Sequence, residues 1–146
     1  MEKLHLYLVR HCESLGNHEN IFQGQLDLDI SATGEKQLAL LALRFRNIPI
    51  DAVYSSPLKR AYKTAEAVDL YHSLPIIKLP ELMEVDVGAL SGMKLDKAFS
   101  DYPVFAEKWQ NSPQNCIFPE GETTAEVYDR AKKALARVKA DCMGKT

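Results

Sequence analysis

The sequence predicts an α/β fold, three-layered, with a mostly parallel central sheet flanked by helices. Residues 4–9 are apolar at nearly every position and end abruptly in Arg10-His11. Such a run suits a strand buried on both faces better than one that alternates between core and solvent. Two further short apolar segments, residues 50–54 and 74–79, are each set beside stretches of helical spacing. Strands that alternate with helices favour parallel pairing. In such sheets ligands bind beyond the carboxyl ends of the strands. That is where Arg10, His11 and the Ser55-Ser56 turn, with Arg60 just behind it, would lie.

The elements follow in order. From residue 12 to residue 30 the pattern dissolves into Ser, Gly, Asn, Gln and Asp, a loop long enough to carry function. Ser31 then reads as an N-cap, with Leu38, Leu41, Ala42 and Phe45 forming a buried stripe on a helix that stops before Pro49. After the second strand, Ser56 is placed to cap a helix and Pro57 to take its first position, where a missing N–H costs nothing. That helix carries Leu58, Ala61, Tyr62, Ala65 and Val68 on one side. Residues 81–92 read as an ordered loop with two glycines, and residues 93–111 as a helical region broken near Pro103. The Thr123-Thr124-Ala125-Glu126 run has the capping-box pattern, and Val127, Ala131, Ala134, Leu135 and Val138 share one face of a helix reaching about Cys142.

At 146 residues the chain has the size of one domain, with no visible repeat, low-complexity tract or linker. Eighteen basic residues against 20 acidic give a net charge of -2, which argues against a nucleic-acid or membrane-surface partner. Residues 1–3 lead into an apolar stretch too short for a signal peptide or a membrane span. Three cysteines, Cys12, Cys116 and Cys142, show no CxxC spacing, and with no leader ahead of them they point to a reduced, cytoplasmic protein.

A histidine at a strand end beside an arginine can be a nucleophile toward phosphorus if its imidazole is neutral and held in one tautomer. Arg10 would supply charge to the phosphoryl group, and Arg60, from the first turns of its helix, would converge on the same oxygens. Two guanidiniums about 4 Å from a phosphoryl group are each worth roughly 4 kcal/mol at an effective dielectric of 20, before desolvation is subtracted. That is enough to do without a metal or another cofactor. An Arg-His pair alone is a weak signal, and Ser-Ser-Pro is mostly a capping device. Together with Glu84 and the glycine turn they become specific.

In these residues the chain resembles the histidine phosphatase superfamily, which includes the phosphoglycerate mutases and many small phosphatases. The family's Arg-His-Gly-Glu signature stands as Arg10-His11-Cys12-Glu13, followed by Asn17 and by Gln23-Gly24. Its helix entry appears as Ile30-Ser31-Ala32-Thr33-Gly34-Glu35-Lys36-Gln37, and its Ser-Ser-x-x-x-Arg-Ala-x-x-Thr-Ala motif runs complete from Ser55 to Ala65 through Arg60. Leu82-Met83-Glu84 with Gly88 and Gly92 matches the acid-bearing loop, and Gly121-Glu122-Thr123 the segment before a later helix. The resemblance implies a phosphoglycerate mutase-like fold and a two-step transfer. His11 takes the phosphoryl group, Arg10 and Arg60 hold its oxygens, and Glu84, its pKa raised by the neighbouring dianion, protonates the leaving oxygen and then activates water. Asn17, Gln23 and Gly24 would donate hydrogen bonds to phosphate or substrate.

Two departures stand out. Cys12 replaces the family's usual glycine, so its side chain either crowds the phosphate or points away. The family's second histidine, in a Val-Ser/Thr-His-Gly segment on another central strand, has no counterpart within residues 1–146. His18 and His72 are no substitutes. The expectation is therefore one histidine phosphatase-like domain over residues 1–146, truncated before the second-histidine strand, with an exposed sheet edge that invites a homo-oligomer. The function implied is hydrolysis of a small phosphorylated metabolite through phosphohistidine. The alternatives are mutase-type transfer and a truncated, catalytically deficient phosphate-binding or assembly protein.

Three rival chemistries fit poorly. A Cys-x5-Arg phosphatase would need arginine where His18 stands. His11, Cys12 and Glu13 are adjacent and cannot all face one metal ion. The Asp27-x-Asp29 pair imitates a Mg-dependent phosphatase motif, but that motif should follow a buried apolar strand, and here residues 20–25, Asn-Ile-Phe-Gln-Gly-Gln, precede it.

Overall fold

Strands β1 (Val53–Ser55) and β2 (Ile76–Lys78) pair in parallel, with Val53 opposite Ile76, Tyr54 opposite Ile77 and Ser55 opposite Lys78. The protein is seen here as a computed structural model that describes residues 3–144. The expectations resting on Met1, Glu2, Lys145 and Thr146 lie outside the described residues. The crossover from β1 to β2 is helix α3 (Lys59–Asp69), as parallel pairing demands. Helix α1 (Leu15–His18) is a single turn, helix α2 (Ala32–Phe45) packs beside α3, and Ala42, Phe45, Ala65 and Val68 are buried.

The expected central strand over residues 4–9 is corrected by the structure. Residues 3–13 carry no strand pairing, and Leu6, Tyr7, Leu8 and Val9 are 47, 54, 91 and 41% exposed. A two-face-buried strand needs neighbours along both edges and a layer on each face. Among the described residues the ladder holds β1 and β2 alone, and the segment gains an edge-to-face contact of Tyr7 on Phe45 at 5.7 Å. Apolar patterning reports what a segment is suited to bury, not whether its neighbours are present.

Helix starts follow the sequence with one exception. Ser31 caps α2, its hydroxyl accepting from Gly34 N–H at 3.0 Å. Helix α3, however, begins at Lys59 and not at Pro57, because Lys59 N–H is capped at 2.6 Å by the carboxylate of Asp27, 32 residues upstream. Ser56 Oγ instead accepts from Leu58 N–H at 3.3 Å within the turn. Local sequence shows only the local capping candidate; here a distant one wins.

A hydrophobic core cluster forms where the loops meet two short helices. Phe22, Val87, Leu90, Ala98, Phe105, Cys116 and Phe118 are buried together, with Val85, Met93 and Phe99 packed on them. Phe22 meets Phe99 and Phe105 edge-on, each at 5.9 Å, and Phe105 lies 5.1 Å from Phe118. Such pairs add about 0.5–1.5 kcal/mol each beyond their burial. Helices α4 (Leu95–Asp101) and α5 (Pro103–Asn111) are split at Tyr102 by Pro103, as expected, and bring in Ala98 and Phe105.

Helix α6 (Thr124–Cys142) opens on the predicted capping box. Thr123 Oγ1 accepts from Glu126 N–H at 3.1 Å and Glu126 Oε2 accepts from Thr123 N–H at 2.8 Å. Its expected apolar face is only partly used: Ala134 and Cys142 are buried, whereas Leu135 is half exposed. The helix packs chiefly on the short 3-10 turns Pro80–Leu82 and Pro113–Asn115, which cover a narrow strip. Among the described residues no helix is long and apolar enough to cross a membrane.

Candidate active site

The segment that carries His11 is held by side chains of α2 and α3. Cys12 N–H donates to Thr64 Oγ1 at 3.0 Å, and the Thr64 hydroxyl donates to the Arg60 carbonyl at 2.7 Å. Glu13 N–H donates to Gln37 Oε1 at 2.8 Å, while the Glu13 carboxylate accepts from the Ser31 hydroxyl at 2.6 Å. Gly34 lets the chain sit this close to α2, since a Cβ there would lie 2.1 Å from the Glu13 carbonyl oxygen. The Ser-x-x-Gly-x-x-Gln entry of α2 is thus a seat for residues 11–14.

His11 Nδ1 lies 2.7 Å from the Cys12 carbonyl oxygen. A carbonyl only accepts, so Nδ1 carries the proton and Nε2 keeps its lone pair in the neutral ring. Burial lowers the His11 pKa below its ordinary 6.5, and the positive charges of Arg60 and Arg10 lower it further against the opposing Cys12 hydrogen bond and Glu84. Both effects favour the neutral, nucleophilic form near pH 7.

Arg60 is 2% exposed and donates from Nη1 to the Leu26 carbonyl at 2.8 Å and from Nη2 to the Gly24 carbonyl at 2.7 Å. Two of the guanidinium's five N–H groups are used in fixing it, which leaves donors for an anion. Its pKa is lowered by burial, with Glu84 and Asp27 acting the other way. Gly24 has φ +49, and a Cβ on it would strike Val87 Cγ2 at 2.7 Å, so this carbonyl can meet Arg60 only from a glycine.

A cleft of about 160 Å³ brings together all the residues singled out in the sequence: Arg10, His11, Asn17, Gln23, Gly24, Arg60 and Glu84 line it. Asn17 Oδ1 accepts from Ser14 N–H at 3.1 Å, and Ser14 Oγ lies 2.6 Å from Gln23 Oε1. These contacts fix both amides at the cleft wall. Glu84 Oε1 accepts from Val85 N–H at 2.9 Å. A larger groove of about 420 Å³ between Tyr102, Phe105 and Ile117 holds none of these groups.

Cys12 is 8% exposed, and it is not among the residues that line the cleft. His18 sits exposed 3.8 Å from Glu13, and His72 Nε2 lies 3.0 Å from the Phe45 carbonyl. Neither lines the cleft. The Asp27-x-Asp29 pair is committed elsewhere: Asp27 caps α3, and Asp29 binds Lys63 Nζ and Ile30 N–H, each at 2.7 Å.

Sequence reasoning missed Arg130. From α6 it donates to the carbonyls of Glu81, Met83 and Glu84 at 2.9, 2.5 and 3.0 Å and pairs with Glu122. It thereby pins the backbone of the loop that carries Glu84. No local pattern marks it, because its partners lie almost 50 residues away. Trp109 and Phe118, which also line the cleft, were missed as well, since nothing in their local sequence marks them as cleft residues.

A histidine that shares one cleft with two arginines and a carboxylate, in an α/β fold, marks the class of proteins with a histidine-centred anion site. The chain belongs to the histidine phosphatase superfamily (branch 1), whose family model matches residues 6–146. Phosphoserine phosphatase 1 of Hydrogenobacter thermophilus is 40% identical over 134 residues, 92% of this chain and 64% of that protein. The alpha-ribazole phosphatase of Shigella flexneri superposes with a TM-score of 0.81 at 26% identity, covering 90% of this chain and 65% of the other. A mycobacterial glucosyl-3-phosphoglycerate phosphatase solved with VO3 gives 0.80 at 26% identity, covering 89% and 64%. The chain therefore spans slightly less than two thirds of the length of these relatives.

Proposed function

We propose that the chain carries the phosphohistidine half of a phosphomonoester hydrolase acting on a small phosphorylated metabolite. The observation that carries this reading is His11, its Nδ1 committed to the Cys12 carbonyl, sharing a cleft with Arg10, Arg60 and Glu84. Nε2 attacks phosphorus as the ester oxygen departs with a proton from the Glu84 carboxyl. The N–P bond forms, the P–O bond breaks, and Arg10 and Arg60 balance the charge on the remaining oxygens. Water then gives its proton to Glu84 and displaces the phosphoryl group from His11. Asn17, Gln23 and Gly24 bound the anion's side of the cleft. No metal or cofactor enters either step.

Supporting the reading are the phosphatase names of the relatives above and a fold shared with them. A substrate hydroxyl in place of water would make the same site a mutase; the lack of large substrate-gripping insertions within residues 1–146 favours water. In this reading residues 1–146 are one domain, and the second-histidine strand is not among them. The exposed apolar run at residues 6–9 supports pairing with a second copy in that state. Three free, buried cysteines fit a reducing cytoplasm, and the net charge of -2 fits neither nucleic acid nor an anionic membrane surface as partner.

The test is transfer of labelled phosphate from an aryl phosphate to the protein. Acid-labile label on the wild type that vanishes in His11→Ala is expected. Acid-labile label retained by His11→Ala would remove His11 from the mechanism, and a wild type that never labels would leave the catalytically deficient, phosphate-binding alternative.

A further inference from the structure

Taking the phosphatase reading of this cleft as its basis, we propose that the site selects esters whose organic group is apolar and planar, and that Trp109 is the residue on which that group stacks. In the phosphatase reading Arg10 and Arg60 hold the phosphoryl oxygens, His11 bonds phosphorus, Glu84 serves the ester oxygen, and Asn17, Gln23 and Gly24 bound the anion's side. What remains facing the carbon side of the ester is Ile21, Phe22, Val85, Val87, Trp109 and Phe118. This wall is apolar throughout, and it ends in an aromatic plane.

Trp109 differs from the rest of the wall. Phe22, Val87 and Phe118 are 7, 3 and 3% exposed and belong to the core, whereas Trp109, which packs against that same core, leaves 40% of its surface open. Its ring is nevertheless held on three sides, by Phe105 at 5.7 Å, Phe118 at 5.8 Å and Phe22 at 5.9 Å. An aromatic plane fixed by its neighbours yet open toward an anion cleft is pre-organised for stacking, so little rotamer freedom is lost when a ligand arrives. A flexible, carboxylate-bearing group would instead meet a surface that offers it no charge and desolvates it.

Three non-hydrolysable probes with the same anionic head separate these cases: methylphosphonate, phenylphosphonate and 3-phosphonopropionate, each titrated by calorimetry. Phenylphosphonate is expected to bind about tenfold more tightly than methylphosphonate, the upper range of an aromatic contact, and 3-phosphonopropionate no more tightly than methylphosphonate. The ratio of phenylphosphonate to methylphosphonate affinity should fall to about twofold in Trp109→Ala and stay within about threefold of wild type in Trp109→Phe, as stacking energetics imply. Where Trp109→Ala disturbs the aromatic cluster and loses the cleft altogether, Trp109→Leu keeps the bulk without the plane and should show the same collapsed ratio. Trp109 is the chain's one tryptophan, so its emission also reports phenylphosphonate directly in the wild type. Equal affinities for the phenyl and methyl probes, or a preference for the carboxylate probe, would overturn the specificity proposal while leaving the anion site intact. Binding of every probe that is untouched by Arg10→Ala would overturn the reading of the cleft itself, and this proposal with it.

Discussion

Arg130 lays its Nε and Nη2 against the two carboxylate oxygens of Glu122 at 2.8 and 2.9 Å, while Glu122 Oε2 also accepts from Asp86 N–H at 2.8 Å. One guanidinium thus joins α6 to both ends of the loop that carries Glu84. Removing it strands several partly buried acceptors, each hydrogen bond to a charged group being worth about 1.5–3 kcal/mol. Arg130→Ala should therefore lower unfolding free energy by about 2–3 kcal/mol, since the side chain is 18% exposed and the loop can partly rehydrate. Urea denaturation at pH 7 measures it.

The same pair fixes a pH dependence. The Arg130 hydrogen bond holds the Glu122 carboxyl below its ordinary 4.5. A carboxyl depressed in the folded state stabilises above its unfolded pKa, and that contribution is lost as pH falls through the folded value. The stability gap between wild type and Arg130→Ala should accordingly be full at pH 7 and shrink below about pH 4. A gap that stays constant down to pH 3 would mean that the pair contributes through packing alone.

His11 titrates with the opposite chemistry. Its pKa lies below 6.5 because burial disfavours the imidazolium and Arg60 and Arg10 repel it. The unfolded chain therefore takes up this proton more readily than the folded one, so this contribution to stability is full above pH 6.5 and is lost as pH falls toward the folded value. The rate of phosphorylation should rise through that lowered pKa and be level by neutrality. Ring-proton NMR should place the His11 midpoint below 6.5, and Arg10→Gln should move it upward. A midpoint above 6.5 in the wild type would contradict the solvation of the site described here.

Much of this site can be read from sequence because its geometry is built from short-range spacing. Arg60 follows Ser55-Ser56 by a fixed turn, and Gly34 and Gln37 fall on the helix face that seats Glu13. What could not be read is what depends on partners distant in the chain. Asp27 displaces Ser56 as the cap of α3, and Arg130 reaches back to residues 81–84. Residues 4–9 have the composition of a central strand yet lie exposed, because composition does not supply the neighbouring strands. The aromatic core around Phe22 escaped for a related reason: Leu95, Ala98, Phe99 and Tyr102 follow helical spacing, but the loop residues they pack with, such as Phe22 and Phe118, carry no pattern that joins them to that helix.

Gly34→Ala tests whether the α2 seat positions the segment that carries His11. The added methyl would lie 2.1 Å from the Glu13 carbonyl oxygen and 2.4 Å from Ile30 Cγ2. Backbone cannot yield cheaply, so a loss of about 1–3 kcal/mol is expected despite the better helix propensity of alanine. Because residues 11–14 must move away from α2, methylphosphonate affinity should fall as well. Unchanged affinity in a folded Gly34→Ala protein would show that the seat serves stability only.

Cys12 stands where the resemblance leads one to expect glycine, and because it is buried outside the cleft lining, the proposed reading has it leave the anion uncrowded. Burial pushes its thiol pKa up, so the native protein should react slowly with thiol reagents at pH 8 and rapidly once unfolded. Cys12→Gly restores the family residue but empties a packed position, 8% exposed, and adds backbone freedom to the unfolded chain. A loss of about 1–2 kcal/mol should follow. Methylphosphonate affinity should change less than about threefold, under 0.7 kcal/mol by the affinity relation, because the cleft is bounded without this side chain. Binding that tightened tenfold on Cys12→Gly would show instead that the thiol crowds the anion, and would move Cys12 from the packing of α3 into the site.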